Sequence, residues 1–158
     1  SLGDWRFQWA TSYTLEYDLT DPDGVKIDGI GSRNFTNSIG HTLPEFRTNF
    51  SVFWNMDRHS AVLLARHVDG YKDDLPQSAT RGAFIGLHPT IDSFTTVDVA
   101  YTYSLPEMGF QADGSAITFG VKNVADEEPP KMNTDGGFDP FTHDPRGRMF
   151  YVRGRMAL

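Results

Sequence analysis

Between Trp5 and Asp18 the chain alternates. Trp5, Phe7, Trp9, Thr11, Tyr13, Leu15 and Tyr17 interleave with Arg6, Gln8, Ala10, Ser12, Thr14, Glu16 and Asp18. Successive side chains of a strand point to opposite faces, so this stretch predicts a strand with one aromatic, apolar face and one polar face. Strands of soluble domains average about five or six residues. Trp5 to Tyr17 would extend roughly 40 Å at about 3.3 Å per residue. Tilted by about 40°, it rises roughly 30 Å, enough to cross an apolar band about 25 Å tall.

Five further strands are predicted. In Phe46–Met56, Phe46, Thr48, Phe50, Val52, Trp54 and Met56 share one face, and Arg47, Asn49, Ser51, Phe53 and Asn55 the other. Ala61–Tyr71 is ambiguous, because Val62, Leu63 and Leu64 run together; Arg66 is assigned to its polar face. Ile91–Tyr103 sets Ile91, Val97, Val99, Tyr101 and Tyr103 against Asp92, Thr96, Asp98 and Thr102. A shorter strand carries Ile117, Phe119 and Val121, with Thr118 and Lys122 opposite. The last sets Phe150, Val152, Met156 and Leu158 against Arg153 and Arg155.

The connections 19–45, 57–59, 72–90, 105–115 and 124–147 run long, short, long, shorter, long, against a usual median of about 4–6 residues. Long extracellular loops alternating with short periplasmic turns characterise outer-membrane barrels, so the rhythm gives each strand a direction. Trp5, Trp54 and Tyr103 then fall near the periplasmic ends and Tyr17 and Phe46 near the outer ends, as interfacial girdles would. Tyr13 and Phe50 are expected near mid-membrane. Six strands do not close a barrel, and unpaired edges in hydrocarbon cost several kcal/mol per backbone group. Residues 1–158 therefore read as one piece of a larger barrel: all-β, antiparallel and up-and-down, with about six meandering transmembrane strands.

Composition agrees. Aromatics reach 13% and charged residues 22%, with 15 Gly and 9 Pro, a mixture of strands and turns. Mean hydropathy is −0.42, and no apolar run approaches the roughly 18 residues of a membrane helix. With a net charge of −7 and scattered cations, nucleic-acid binding has no electrostatic support. Cysteine is absent, which removes disulfides and thiolate metal sites. The start, SLGDWRFQW, has neither the basic n-region nor the apolar h-region of a signal peptide, and is expected to be an internal cut.

Three stretches carry a resemblance: HVDGYKDD (67–74), IDSFTTVDVAYTYSL (91–105) and GVKNVADEEPPKMNTDGGFDPFTHDPRGRMFYVRGRMAL (120–158). They resemble the C-terminal end of TonB-dependent outer-membrane receptors, most specifically in Gly120 to Asp126 and in Pro145 to Arg148. The resemblance implies the last six strands of a 22-stranded barrel in the outer membrane of a Gram-negative bacterium. It also implies uptake of a scarce or large solute (siderophore-iron, cobalamin or an oligosaccharide) driven from the inner membrane. The implied partners are outer-membrane lipid, the upstream strands, an N-terminal plug domain, the TonB complex reached through that absent part, and the solute. Such barrels usually end in Phe, whereas this chain ends in Leu158.

Candidate chemistry is sparse. TDPDGVKIDG groups Asp21, Asp23 and Asp28 with Gly24 and Gly29, like the opening of a calcium loop. It lacks the third early ligand and the closing Glu, so Asp/Gly turns explain it better. The last loop gathers Asp135, Asp139, His143 and Asp144, a set able to bind a divalent ion, but Gly136, Gly137, Pro140 and Pro145 interleave them as in ordinary turns. Arg6, Glu16, Arg47, Arg66, Asp98, Lys122, Arg153 and Arg155 are expected to face a hydrated lumen. Solute contacts are expected on the long loops, at Phe35, Phe84, Phe138, Phe141 and His143, although the same rings serve to pack loops together. His41, His59, His67, His88 and His143 are dispersed, and no nucleophile elbow or phosphate loop occurs. No catalytic residue, cofactor or metal is assigned, and a non-enzymatic role is expected. The alternatives are a secreted, soluble β-sandwich that binds carbohydrate and a porin-like barrel without a plug.

Overall fold

The computed structural model describes residues 2–74, 90–106, 114–132, 134 and 136–157. Ten strands follow in chain order: β1 (Asp4–Tyr13), β2 (Asp18–Thr20), β3 (Lys26–Asp28), β4 (Phe46–Met56), β5 (His59–Val68), β6 (Tyr71–Lys72), β7 (Thr90–Ile91), β8 (Phe94–Ser104), β9 (Ala116–Lys122) and β10 (Met149–Arg155). No helix occurs among the described residues. Six strands form one open antiparallel sheet in the order β1-β4-β5-β8-β9-β10, each paired with its neighbour along the chain apart from the small inserted strands. β2–β3 and β6–β7 make separate two-stranded sheets.

The register carries the alternation across all six strands. One row runs Phe7–Val52–Leu63–Val99–Val121–Phe150, and the next Trp5–Trp54–Ala61–Tyr101–Phe119–Val152. A one-residue slip in any pair would turn an apolar set to the other face, so the periodicity and the pairing specify each other. Twist dishes this face into an open groove of about 670 Å³ between Trp5, Trp54, Leu63, Val99, Phe119 and Val152. Its rings stay uncovered: Trp9 is 73% exposed and Phe150 76%. Among the described residues no second sheet packs over it. Its few polar groups bond one another. The Trp9 indole N–H donates to Thr48 Oγ1 at 2.7 Å, Thr11 and Thr48 share a bond at 2.9 Å, and His67 Nδ1 meets Thr95 Oγ1 at 2.7 Å.

The opposite face carries Arg6, Arg47, Arg66, Lys122, Arg153 and Arg155, with Asp4 and Asp98 as its carboxylates. The Val62-Leu63-Leu64 ambiguity resolves here. Leu63 joins the apolar row, while Val62 sits between Phe53 and Ala100 on the polar face. There Arg6 lies 4.3 Å over the Phe53 ring. Tyr151 covers Gly120, where an added Cβ would stand 2.3 Å from the phenol ring.

Several boundaries differ from the pattern. β1 stops at Tyr13 rather than Asp18, since its partner β4 begins only at Phe46, just past Pro44. Glu16 and Tyr17 therefore lie outside the sheet. The third strand ends at Val68, and Tyr71 belongs to β6. Gly70 intervenes, its Cα so close to β7 that a Cβ would meet the Ile91 carbonyl oxygen at 2.9 Å. Ile91 belongs to β7 and is 1% exposed, buried beneath the loops rather than aligned on the apolar face. β10 ends at Arg155, ahead of Met156, and Leu158 lies outside the described residues. β1 and β10 form the two edges, with no further strand against either among the described residues.

Candidate functional site

The meander sends the described parts of segments 14–45, 69–93 and 123–148 to the same end of the sheet, and there they interlock. Asp139 is the hub and is fully buried. Its Oδ2 accepts from Tyr71 Oη at 2.8 Å, Thr42 Oγ1 at 3.0 Å and Thr142 Oγ1 at 2.8 Å, and its Oδ1 from the Phe141 N–H at 3.0 Å. One carboxylate thus ties all three long segments together. Burial pushes the Asp139 carboxyl up, but the bonds from Tyr71, Thr142, Phe141 and Thr42 outweigh it and hold the group below its usual range. Burial, with Asp139 beside it, drives the Tyr71 phenol far above its ordinary value.

His143 completes the hub. Its ring stacks on Tyr71 with centroids 5.9 Å apart and meets Phe94 edge-on at 5.2 Å. Since the single Tyr71 hydroxyl proton goes to Asp139, the phenol oxygen accepts from His143 Nε2–H at 3.0 Å. Nδ1 is buried with no hydrogen-bond partner among the described residues, surroundings that disfavour a charged ring. Burial holds its pKa below the ordinary value, with Arg47 adding to the shift and Asp139 opposing it.

A second clasp holds the first long loop. Asp74 accepts from the amides of Phe35 and Thr36, each at 2.9 Å, and from the Thr36 hydroxyl at 2.9 Å. Arg33 and Asp73 form a buried pair at 3.3 Å. The last loop is stapled at both ends. Asn123, with φ 50°, binds Glu127 through both amide atoms, and Asp126 Oδ1 accepts the Arg148 N–H at 2.7 Å. An added Cβ on Gly147 would stand 2.7 Å from that same oxygen. The motif residues Asn123, Asp126, Gly147 and Arg148 thus serve one loop closure.

Below the last loop, on the polar face, lies a cavity of about 270 Å³. Arg66, Thr96, Asp98 and Lys122 line it from the sheet, and Thr142, Asp144 and Arg146 from the loop. Asp98 is engaged on both oxygens, by the Asn123 N–H at 2.9 Å and by Arg66 at 2.8 Å. Asp144 is held by Arg146, through the backbone N–H at 3.0 Å and the guanidinium at 2.6 Å. Those bonds bring its carboxyl down to about 2. The Lys122 ammonium makes no hydrogen bond or ion pair with a described residue, although its charge adds to the lowering at Asp144.

The residues expected to touch solute separate. His143 is interior, Phe138 half-buried and Phe141 86% exposed. Phe35 is exposed, with the Arg33 guanidinium 4.4 Å over its ring. Phe84, His88 and Asp135 lie outside the described residues. Seven of the eight charges expected on the inner face share one face of the sheet; Glu16 does not. Asp21 closes the β2–β3 hairpin, its Oδ1 accepting from the Asp23 and Val25 amides at 3.0 and 2.8 Å. No group of three or more His, Asp or Glu able to hold a metal ion occurs among the described residues. Tyr71, Thr42 and Thr142 were not singled out from sequence. Their partners are 68, 97 and 3 residues away, and the only local signal was the Asp139-Pro140 pair, which reads as a turn. Comparisons with models of known protein families, with curated proteins and with solved structures return no match.

Proposed function

We propose that the chain is the C-terminal part of an outer-membrane β-barrel receptor of the TonB-dependent kind, which takes up a scarce or large solute with energy from the inner membrane. The observation that carries this reading is the six-stranded meander with one uncovered apolar face and one cationic face. β1, β4, β5 and β8 span 10, 11, 10 and 11 residues, and a tilted transmembrane strand needs about 9–11. Polar atoms on the apolar face bond each other, as hydrocarbon surroundings require. The described parts of the long segments 14–45, 69–93 and 123–148 gather at one end, as extracellular loops do. The uncovered edges fit strands supplied by the rest of a barrel, and the cationic face fits a hydrated lumen occupied by a plug. The loop closure by Asn123, Asp126, Gly147 and Arg148 gives a physical role to the residues on which the family resemblance rests. A soluble sandwich would bury the apolar rows under a second sheet, so their exposure favours the barrel. In this reading the chain works without catalysis.

The test is fractionation of cells producing the whole polypeptide that carries these residues. It is expected in the outer membrane and to need detergent for extraction. Recovery as a monodisperse, lipid-free protein in plain buffer would overturn the proposal.

A further inference from the structure

The cavity beneath the last loop has more positive charge than its own carboxylates use. Its wall holds three cations, Arg66, Lys122 and Arg146, and two carboxylates, Asp98 and Asp144. Asp98 is committed to Arg66 and to the Asn123 amide. Asp144 is committed to Arg146 through backbone and guanidinium. Lys122 is left over. Its ammonium lines the cavity without a hydrogen bond or ion pair to a described residue. Asp144 feels the Lys122 charge but is itself held by the Arg146 guanidinium. Arg66 uses only Nη2 on Asp98, so further N–H donors remain beside Lys122. Thr142 spends its proton on Asp139, leaving its oxygen to accept from a hydroxyl. Val68, Phe94 and Met149 add an apolar ledge.

We infer that this cavity is a subsite for one carboxylate-bearing end of a soluble solute, with Lys122 as its principal charge partner. A single surplus cation matches a single negative charge. Planar guanidinium and ammonium donors together suit a carboxylate. The cavity volume, about 270 Å³, equals roughly nine waters at about 30 Å³ each. That admits one sugar-acid-sized group and not an oligosaccharide, so a larger solute would place only its charged end here. A carboxylate held there would touch both walls, the sheet and the last loop.

This inference rests on the barrel reading, in which the cationic face lines a hydrated lumen. The experiment separates the two. The whole polypeptide is purified from the outer membrane in detergent and titrated calorimetrically with glucuronate and with glucose, ring sugars that differ chiefly in charge. Glucuronate is expected to bind and glucose not. Lys122→Gln is expected to weaken glucuronate by about tenfold or more, the worth of one charge-assisted bond. Lys122→Arg should retain most of the affinity, and Lys26→Gln, in the β2–β3 hairpin, should change nothing. Arg146→Gln leaves Asp144 uncompensated and should weaken binding further than Lys122→Gln. Equal binding of the two sugars, no binding of glucuronate, or equal effects of Lys122→Gln and Lys26→Gln would overturn the subsite while leaving the barrel in place. Failure to find the protein in the membrane would overturn the barrel reading itself.

Discussion

Asp139 does more for the loop end of the molecule than its Asp-Pro context announces. Replacing it with Ala removes the acceptor shared by Tyr71, Thr42 and Thr142. Leaving buried donors unpaired costs about 1–3 kcal/mol. Amide exchange at Phe141 and His143 should accelerate accordingly, while exchange in β4 and β5 should not change. His143 adds a pH dependence with a definite sign. The folded imidazole is held neutral below its ordinary pKa, so the unfolded chain binds the proton first. Loop stability is then complete above about pH 6.5 and declines as pH falls beneath it, with Asp139 extending the loss below about pH 4. His143→Phe should flatten the upper part of that decline in exchange measured between pH 5 and 7. Protection that grew on acidification would contradict the neutral, Nε2-protonated ring.

At the scale of the element, the strands were legible because their signal is local and repeats every second residue. Phe46, Thr48, Phe50, Val52, Trp54 and Met56 announce one face of β4 without help from any other strand. The ends were not legible. β1 continues its alternation to Tyr17, yet stops at Tyr13 because β4, its partner among the described residues, starts at Phe46. Pairing, not periodicity, sets a strand's length. The shift moves the middle of β1 to Phe7 and Trp9, and puts Tyr13 at the rim, where its hydroxyl bonds Glu45. Arg at Phe7 or Phe50 should therefore cost about 2–4 kcal/mol in a lipid-refolding titration, and Arg at Tyr13 much less. Gln8 and Ser51, on the polar face, should tolerate Arg with little change. Ile91 departs from the alternation for a related reason. Its parity matches Val97 and Val99, but the chain breaks register between β7 and β8, and a tightly packed Gly70 pulls β7 toward β6 instead.

For the whole molecule, two sets of interactions occupy different parts of the chain. Six strands hold to one another through register and carry the two faces. The loops hold to one another through Asp139 and Asp74, and the last loop to itself through Asp126, none of which lies on a strand. The first set shows in sequence as alternation. The second joins residues as far as 97 apart and leaves no periodic trace, so the hub at Tyr71 and the surplus charge of Lys122 emerge only from the folded chain. Charge divides along the same line. The polypeptide carries −7 overall, yet six cations and two carboxylates occupy the polar face of the sheet.

Lipid contact by the apolar face is tested most directly by spin labels in a bilayer. Residues 1–158 hold no cysteine, so single Cys substitutions are placed in turn from Asn49 to Trp54 of β4, in the whole polypeptide with any cysteine elsewhere replaced by Ser. Accessibility to oxygen, which concentrates in lipid, should peak at Phe50, Val52 and Trp54. Accessibility to a water-soluble nickel chelate should peak at Asn49, Ser51 and Phe53. Two profiles without opposite phase, or oxygen maxima at Asn49, Ser51 and Phe53, would contradict lipid contact by this face.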